Sequence, residues 1–152
     1  MPRCWPIAAY RSTGARVFEP LYLSNLAKAH AEVGTFDHAW RCIEEAMTGM
    51  DQTSETWFEA EVNCIAGEIV CKSEGDRLKA EKYFDRALAV SRRQQAKSWE
   101  LRAAMSLARL WRSQGKVQQA RELLAPVYGW FTEGFDTSDL KEARALLEEL
   151  AA

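Results

Sequence analysis

Arg102, Arg109 and Arg112 stand at i, i+7 and i+10, which places three guanidiniums on one face of a helix. A guanidinium presents a planar fork of N–H donors that matches a carboxylate through two parallel hydrogen bonds. Such a stripe suits either a carboxylate-bearing partner or salt bridges to glutamates of the same chain. The other chemically capable residues form no catalytic pattern. The four cysteines, Cys4, Cys42, Cys64 and Cys71, include no C-x-x-C pair. Cys64 and Cys71 lie on one helical face but roughly 10 Å apart, too far for a disulfide, and read as small buried hydrophobes. His30 and His38 are the only histidines, and no spacing joins them to a cysteine as a metal site. Both read as structural or surface residues. Glu59, Glu61 and Glu68 read as a solvated acidic face. Gly115-Lys116 runs into Val117, and Leu110 stands where a phosphate loop needs its first glycine. H-E-x-x-H, G-x-S-x-G and EF-hand patterns are absent from the sequence. The expectation is a non-enzyme with no catalytic, cofactor or metal site.

Charge and hydropathy narrow the class further. Twenty Lys and Arg against 22 Asp and Glu give a net charge of −2, without the basic excess expected of a nucleic-acid binder. The 152 residues are 47% apolar, enough for one core. No apolar run approaches the roughly 18 residues of a membrane span. The first residues, Met1-Pro2-Arg3-Cys4-Trp5-Pro6, lack the apolar segment of a secretory signal. A cytoplasmic protein without membrane contact is expected.

These side chains need helices to position them. Between Asp76 and Gln114 there is neither Gly nor Pro, and Ala and Leu abound. Phe36, Ala39, Trp40, Ile43, Ala46, Met47 and Met50 recur at i, i+3, i+4, i+7, the stripe of an amphipathic helix. Val117, Ala120, Leu123, Leu124 and Val127 repeat that spacing, as do Leu140, Ala143, Leu146, Leu147 and Leu150. Asp136, Thr137 and Ser138 offer capping residues before the last stripe.

The stripes themselves recur. Gly34, Gly75 and Gly115 stand 41 and 40 residues apart. Five residues after each comes Ala39, Ala80 or Ala120, and four further Ile43, Phe84 or Leu124. Phe18, Trp57 and Trp99 open the first helix of each unit. Small residues let two antiparallel helices approach, and glycine ends the first helix in the left-handed conformation. One hairpin cannot bury both faces, so stacking is required. The prediction is an all-α, right-handed α-solenoid of antiparallel helix pairs with about 40-residue repeats and roughly seven to eight helices. Its units are a half repeat at 5–14, repeats at 17–50, 55–94 and 97–131, and a capping helix at 137–151. Pro126 should kink or shorten its helix. Trp5, Ile7 and Tyr10 of the half repeat leave an apolar edge that favours a homodimer.

The pattern resembles the tetratricopeptide repeat, through Leu23, Leu26, Ala27, Gly34, Phe36, Ala39, Ile43 and Ala46 and through Leu107, Ala108, Trp111, Gly115, Val117, Ala120, Leu124 and Val127. The stretches from Ala96 to Ala104 and from Leu124 to Thr137 resemble the C-terminal arrays of bacterial multidomain signalling proteins, in which a nucleotide cyclase or transcriptional regulator precedes an NTPase-like module. That likeness implies the tail of a larger regulator; the family's catalytic modules have no counterpart in these residues. The tetratricopeptide resemblance implies a concave groove lined by the first helix of each pair. By position it holds Ser24, Asn25, Lys28, Glu61, Ile65, Glu68, Lys72, Arg102, Met105, Ser106, Arg109 and Arg112. It implies a protein or peptide partner, an acidic one if the arginines are free, with Tyr22 as a further anchor. Ile65 departs from the polar groove position of chaperone-binding members. Trp130 and Phe131 read as packing for the last helix or as exposed anchors.

Overall fold

A computed structural model describes residue 9 and residues 12–14, 16–73 and 75–152. From residue 16 onward seven helices follow one another among the described residues: α1 Glu19–Glu32, α2 Phe36–Thr53, α3 Glu59–Ser73, α4 Arg77–Arg93, α5 Lys97–Ser113, α6 Val117–Gly129 and α7 Ser138–Ala151. Most of the half repeat expected at 5–14, including Trp5, Ile7 and Tyr10, lies outside the described residues, as does Cys4.

The hinge glycines take the conformation the spacing requires. Gly34, Gly75 and Gly115 hold φ of 82°, 65° and 78°. Past Gly34 the Thr35 N–H donates to the His30 carbonyl at 2.9 Å, and past Gly115 the Lys116 N–H donates to Trp111 at 2.9 Å. These are Schellman closures that satisfy the last carbonyls of α1 and α5. Asp76 caps α4 by accepting the Lys79 N–H at 3.0 Å. Thr137 takes the cap position of α7, but its hydroxyl donates to the Gly134 carbonyl at 2.7 Å instead. Pro126 remains inside α6 and shortens it to 13 residues, against 18 in α2 and 17 in α4.

Within each hairpin the helices run antiparallel. Glu59 at the start of α3 meets Arg86 and Arg93 near the end of α4, and Trp111 late in α5 donates to Glu81 early in α4. Ala39, Ala80 and Ala120 are fully buried at the crossings, beneath Ile43, Phe84 and Leu124. Each such large side chain contributes about 1.5–3 kcal/mol when buried. Gly67 fills the same need in α3: a Cβ there would sit 2.6 Å from the Phe84 ring.

The hairpins stack into an α-solenoid. The first helices α1, α3, α5 and α7 pack in sequence on one another, whereas the backbones of α2, α4 and α6 stay more than 8 Å apart. Helices α2 and α4 meet only through long side chains, Trp40 lying 6.1 Å from Tyr83 and under Lys79. The first-helix layer is therefore the tight, inner one. At its N-terminal edge the expected aromatics stack in a row, with ring centroids 5.5 Å apart for Phe18 and Trp57 and 6.5 Å for Trp57 and Trp99. No helix among the described residues is long and apolar enough to cross a membrane.

Candidate functional site

The inner layer opens at its opposite edge. A recess of about 630 Å³ lies where the C-terminal ends of α3 and α5 meet the Gly75 hinge, with Phe84 and Leu110 among its walls. Lys28, Lys72, Arg77 and Arg109 ring it, with Glu68 as the one carboxylate among the described residues. A second recess of about 280 Å³ continues along α3 and α5 to the start of α7, and adds Glu61, Arg102, Asp139 and Glu142. The two share Lys28, Glu68, Ser106 and Arg109.

Of the groove residues read from the sequence, Lys28, Glu68, Lys72 and Arg109 line the large recess, and Arg102 and Met105 the small one. Asn25 and Arg112 line neither. Met105 and Ile65 are 3% exposed and belong to the core. Ser24 is buried and donates to the Leu21 carbonyl at 2.9 Å. Arg77 and Ser113 of the large recess were not anticipated. Arg77 belongs to a second helix, outside the groove register; its place directly after the Gly75-Asp76 hinge is the signal that points to it.

The arginine stripe does share one face, and its charge is met within the chain. Arg102 donates to Glu61 at 2.8 Å and to Asp139 at 2.9 Å. Arg109 donates to Glu142 at 3.1 Å, and Arg112 pairs with Glu149. These contacts ascend α5 and α7 in step, so the two helices run parallel. Lys28, Lys72 and Arg77 form no ion pair among the described residues.

The acidic group of α3 departs from the expected solvated face. Glu59 is held by Arg86 at 2.6 Å and Arg93 at 3.3 Å. Glu61 is half-buried; burial pushes its carboxyl above the ordinary glutamate range and the Glu68 and Asp139 charges add to this, while Arg102 and Lys28 oppose it. Glu68 accepts the Ser106 hydroxyl at 3.2 Å. The arithmetic of helix spacing placed these carboxylates correctly on α3 but could not show which cations face them.

Cys64 and Cys42 are buried, whereas Cys71 is exposed on the rim of the large recess, contrary to its reading as a buried hydrophobe. Two turns separate Cys71 from Cys64, yet α3 is near its end there and the described neighbours cover it only in part. Burial pushes the Cys64 thiol far up, and burial with the Glu68 charge raises Cys71, so both stay protonated at neutral pH. His30 and His38 stack at 5.2 Å, and the His30 ring shares a 2.8 Å hydrogen bond with Thr35. No group of three or more potential ligands among the described residues could hold a metal ion. Trp130 is 58% exposed, edge-on to Phe131 and beside Lys97. Phe131 packs against the core, so the two aromatics divide the expected roles.

The arrangement offers charge, hydroxyl donors and a small apolar floor in an open recess. No protein-family model matches the chain, nor does any curated protein or any solved structure.

Proposed function

We propose that the protein is a non-catalytic interaction module of tetratricopeptide type, whose first-helix face takes up a peptide or a segment of a partner protein. The observation that carries this reading is the recess at the Gly75 hinge, where Lys28, Lys72 and Arg77 surround an open cavity without ion pairs among the described residues. Cations of a purely structural face would be expected to find carboxylates, as those of α5 do. The volume falls in the range of sites that bind ligands, roughly 300–1,000 Å³. The repeat register of Gly34, Gly75 and Gly115 supports the tetratricopeptide assignment, and the sequence likeness to bacterial signalling arrays supports a regulatory, cytoplasmic role.

The test is affinity capture from a cell lysate with the wild-type chain and a Lys72→Glu/Arg77→Glu variant as baits. A protein retained by the first and lost by the second is the expected result. Recovery of the bait alone overturns the reading in favour of self-association.

A further inference from the structure

We infer that the two recesses form one polarised slot for an extended segment that carries an acidic side chain at one end and a basic side chain at the other. The inference rests on the peptide-binding reading above and adds the chemistry of the partner. The recesses share a wall, so a ligand in one continues into the other. From Arg102 to Ser113 the slot follows eleven residues of α5, about 16 Å at the helical rise. That is the reach of about five residues of extended chain.

The ends differ in sign. At the hinge end the described residues exclusive to the large recess include Lys72 and Arg77 and no carboxylate. At the α7 end the residues exclusive to the small recess include Glu61, Asp139 and Glu142 against Arg102 alone. Neither cation at the hinge end forms an ion pair among the described residues, so an incoming carboxylate meets donors engaged by no described carboxylate. At the other end, three carboxylates share Arg102 and Arg109, leaving a negative excess that an incoming ammonium or guanidinium would offset. The Glu61 carboxyl there is raised chiefly by burial, with the Glu68 and Asp139 charges adding to it. Between the ends, the shared wall of Lys28, Glu68, Ser106 and Arg109 offers polar donors and one carboxylate acceptor. An all-acidic segment suits the hinge end and is repelled at the α7 end; an all-basic one fails in the opposite sense.

The experiment is selection of a random hexapeptide library displayed on phage against the immobilised full chain, followed by fluorescence polarisation with the enriched peptides. Enriched sequences are expected to hold an Asp or Glu four or five positions from a Lys or Arg, in either order, because the slot reads side-chain charge rather than chain direction. The Lys72→Glu/Arg77→Glu variant should weaken those peptides at least tenfold, and selection on it should remove the acidic residue. The milder Lys72→Gln/Arg77→Gln variant should weaken them in the same direction, with the far-ultraviolet circular dichroism of both variants unchanged. Enrichment of single-sign or purely apolar peptides, or of peptides that ignore the reversal, overturns the polarised slot and leaves peptide binding standing. Absence of any enrichment overturns both.

Discussion

Helix α5 shows two edges of opposite character. Toward α7 its arginines are matched one after another by Asp139, Glu142 and Glu149. Toward the C-terminal half of α3 the recess gathers Lys28, Lys72 and Arg77 around a single described carboxylate, Glu68. Both edges are rich in cations, so composition does not separate them; the neighbour does. Helix α7 brings a row of acids in parallel register, and the end of α3 brings more positive charge. The first edge closes and the second stays open. Aromatics sharpen the contrast, because Phe18, Trp57 and Trp99 zip the N-terminal ends of the first helices together. No such rings bridge their C-terminal ends, where long cations and small side chains line the gap.

The open edge still needs a rigid floor. Phe84 is 1% exposed, fills the space left by Gly67 and lines the recess. Phe84→Ala should therefore be the most damaging change at this edge, lowering stability by about 3–5 kcal/mol in urea titration. A loss below about 1 kcal/mol would mean that the floor yields, and that the recess is a soft gap rather than a formed site. The closed edge should respond next. Arg102→Met keeps the aliphatic stem but strands Glu61 and Asp139, costing about 2 kcal/mol at low salt. In 1 M salt that difference should shrink, since the partners are partly exposed and screened. An equal cost at both salt concentrations would show that the ladder does not act through charge.

Much of this contrast was written in short-range periodicity, and its decisive part was not. Gly34, Ala39 and Ile43 and their equivalents recur at fixed offsets because each hairpin solves the same local packing problem, so the helices and their crossings were legible. Lys28, Glu68 and Lys72 were placed on the inner face by repeat register alone. Which arginines would be neutralised depends on how far α7 slides along α5, a property of the long loop from Trp130 to Thr137 that no spacing encodes. Arg77 escaped because only first helices were considered, although the hinge carries the start of α4 into the recess. Glu59 and Glu61 were misread as solvated because their partners, Arg86 and Arg102, lie 27 and 41 residues away.

Protonation separates the edges of α5 in a further way. Glu100, 5% exposed at the start of α5, would be raised by burial, yet hydrogen bonds from Lys97 and Arg92 hold its carboxyl below the ordinary range. Its folded form releases the proton more readily than the unfolded chain does. The stability it confers is thus complete above the ordinary glutamate value of about 4.3 and is lost as pH falls through the lower folded value. Glu61 runs the other way: its raised carboxyl costs stability while ionised, and acid relieves that cost as pH falls through the raised value toward the ordinary one. Glu100→Gln retains one acceptor, so a loss of about 1 kcal/mol at pH 7 is expected, vanishing in strong acid. Glu61→Gln should cost less than Glu100→Gln at pH 7. Chemical denaturation across pH decides it, and the reverse ranking would break the assignment of Glu61 to a crowded acidic end.

The smallest effect is the most informative one. Lys72 and Arg77 are exposed, unpaired and close to Lys28 at one recess, so removing their charge breaks no bond within the chain. Lys72→Gln/Arg77→Gln should change stability by less than about 0.5 kcal/mol. The sign should be toward stabilisation at low salt, because like charges are relieved, and the gain should fade as salt screens them. Side chains that stabilise nothing within the fold would be free to meet an incoming anion, as the proposed binding role requires. A clear destabilisation in the same measurement would instead place both residues in the fold, and the two edges of α5 would then differ in geometry but not in purpose.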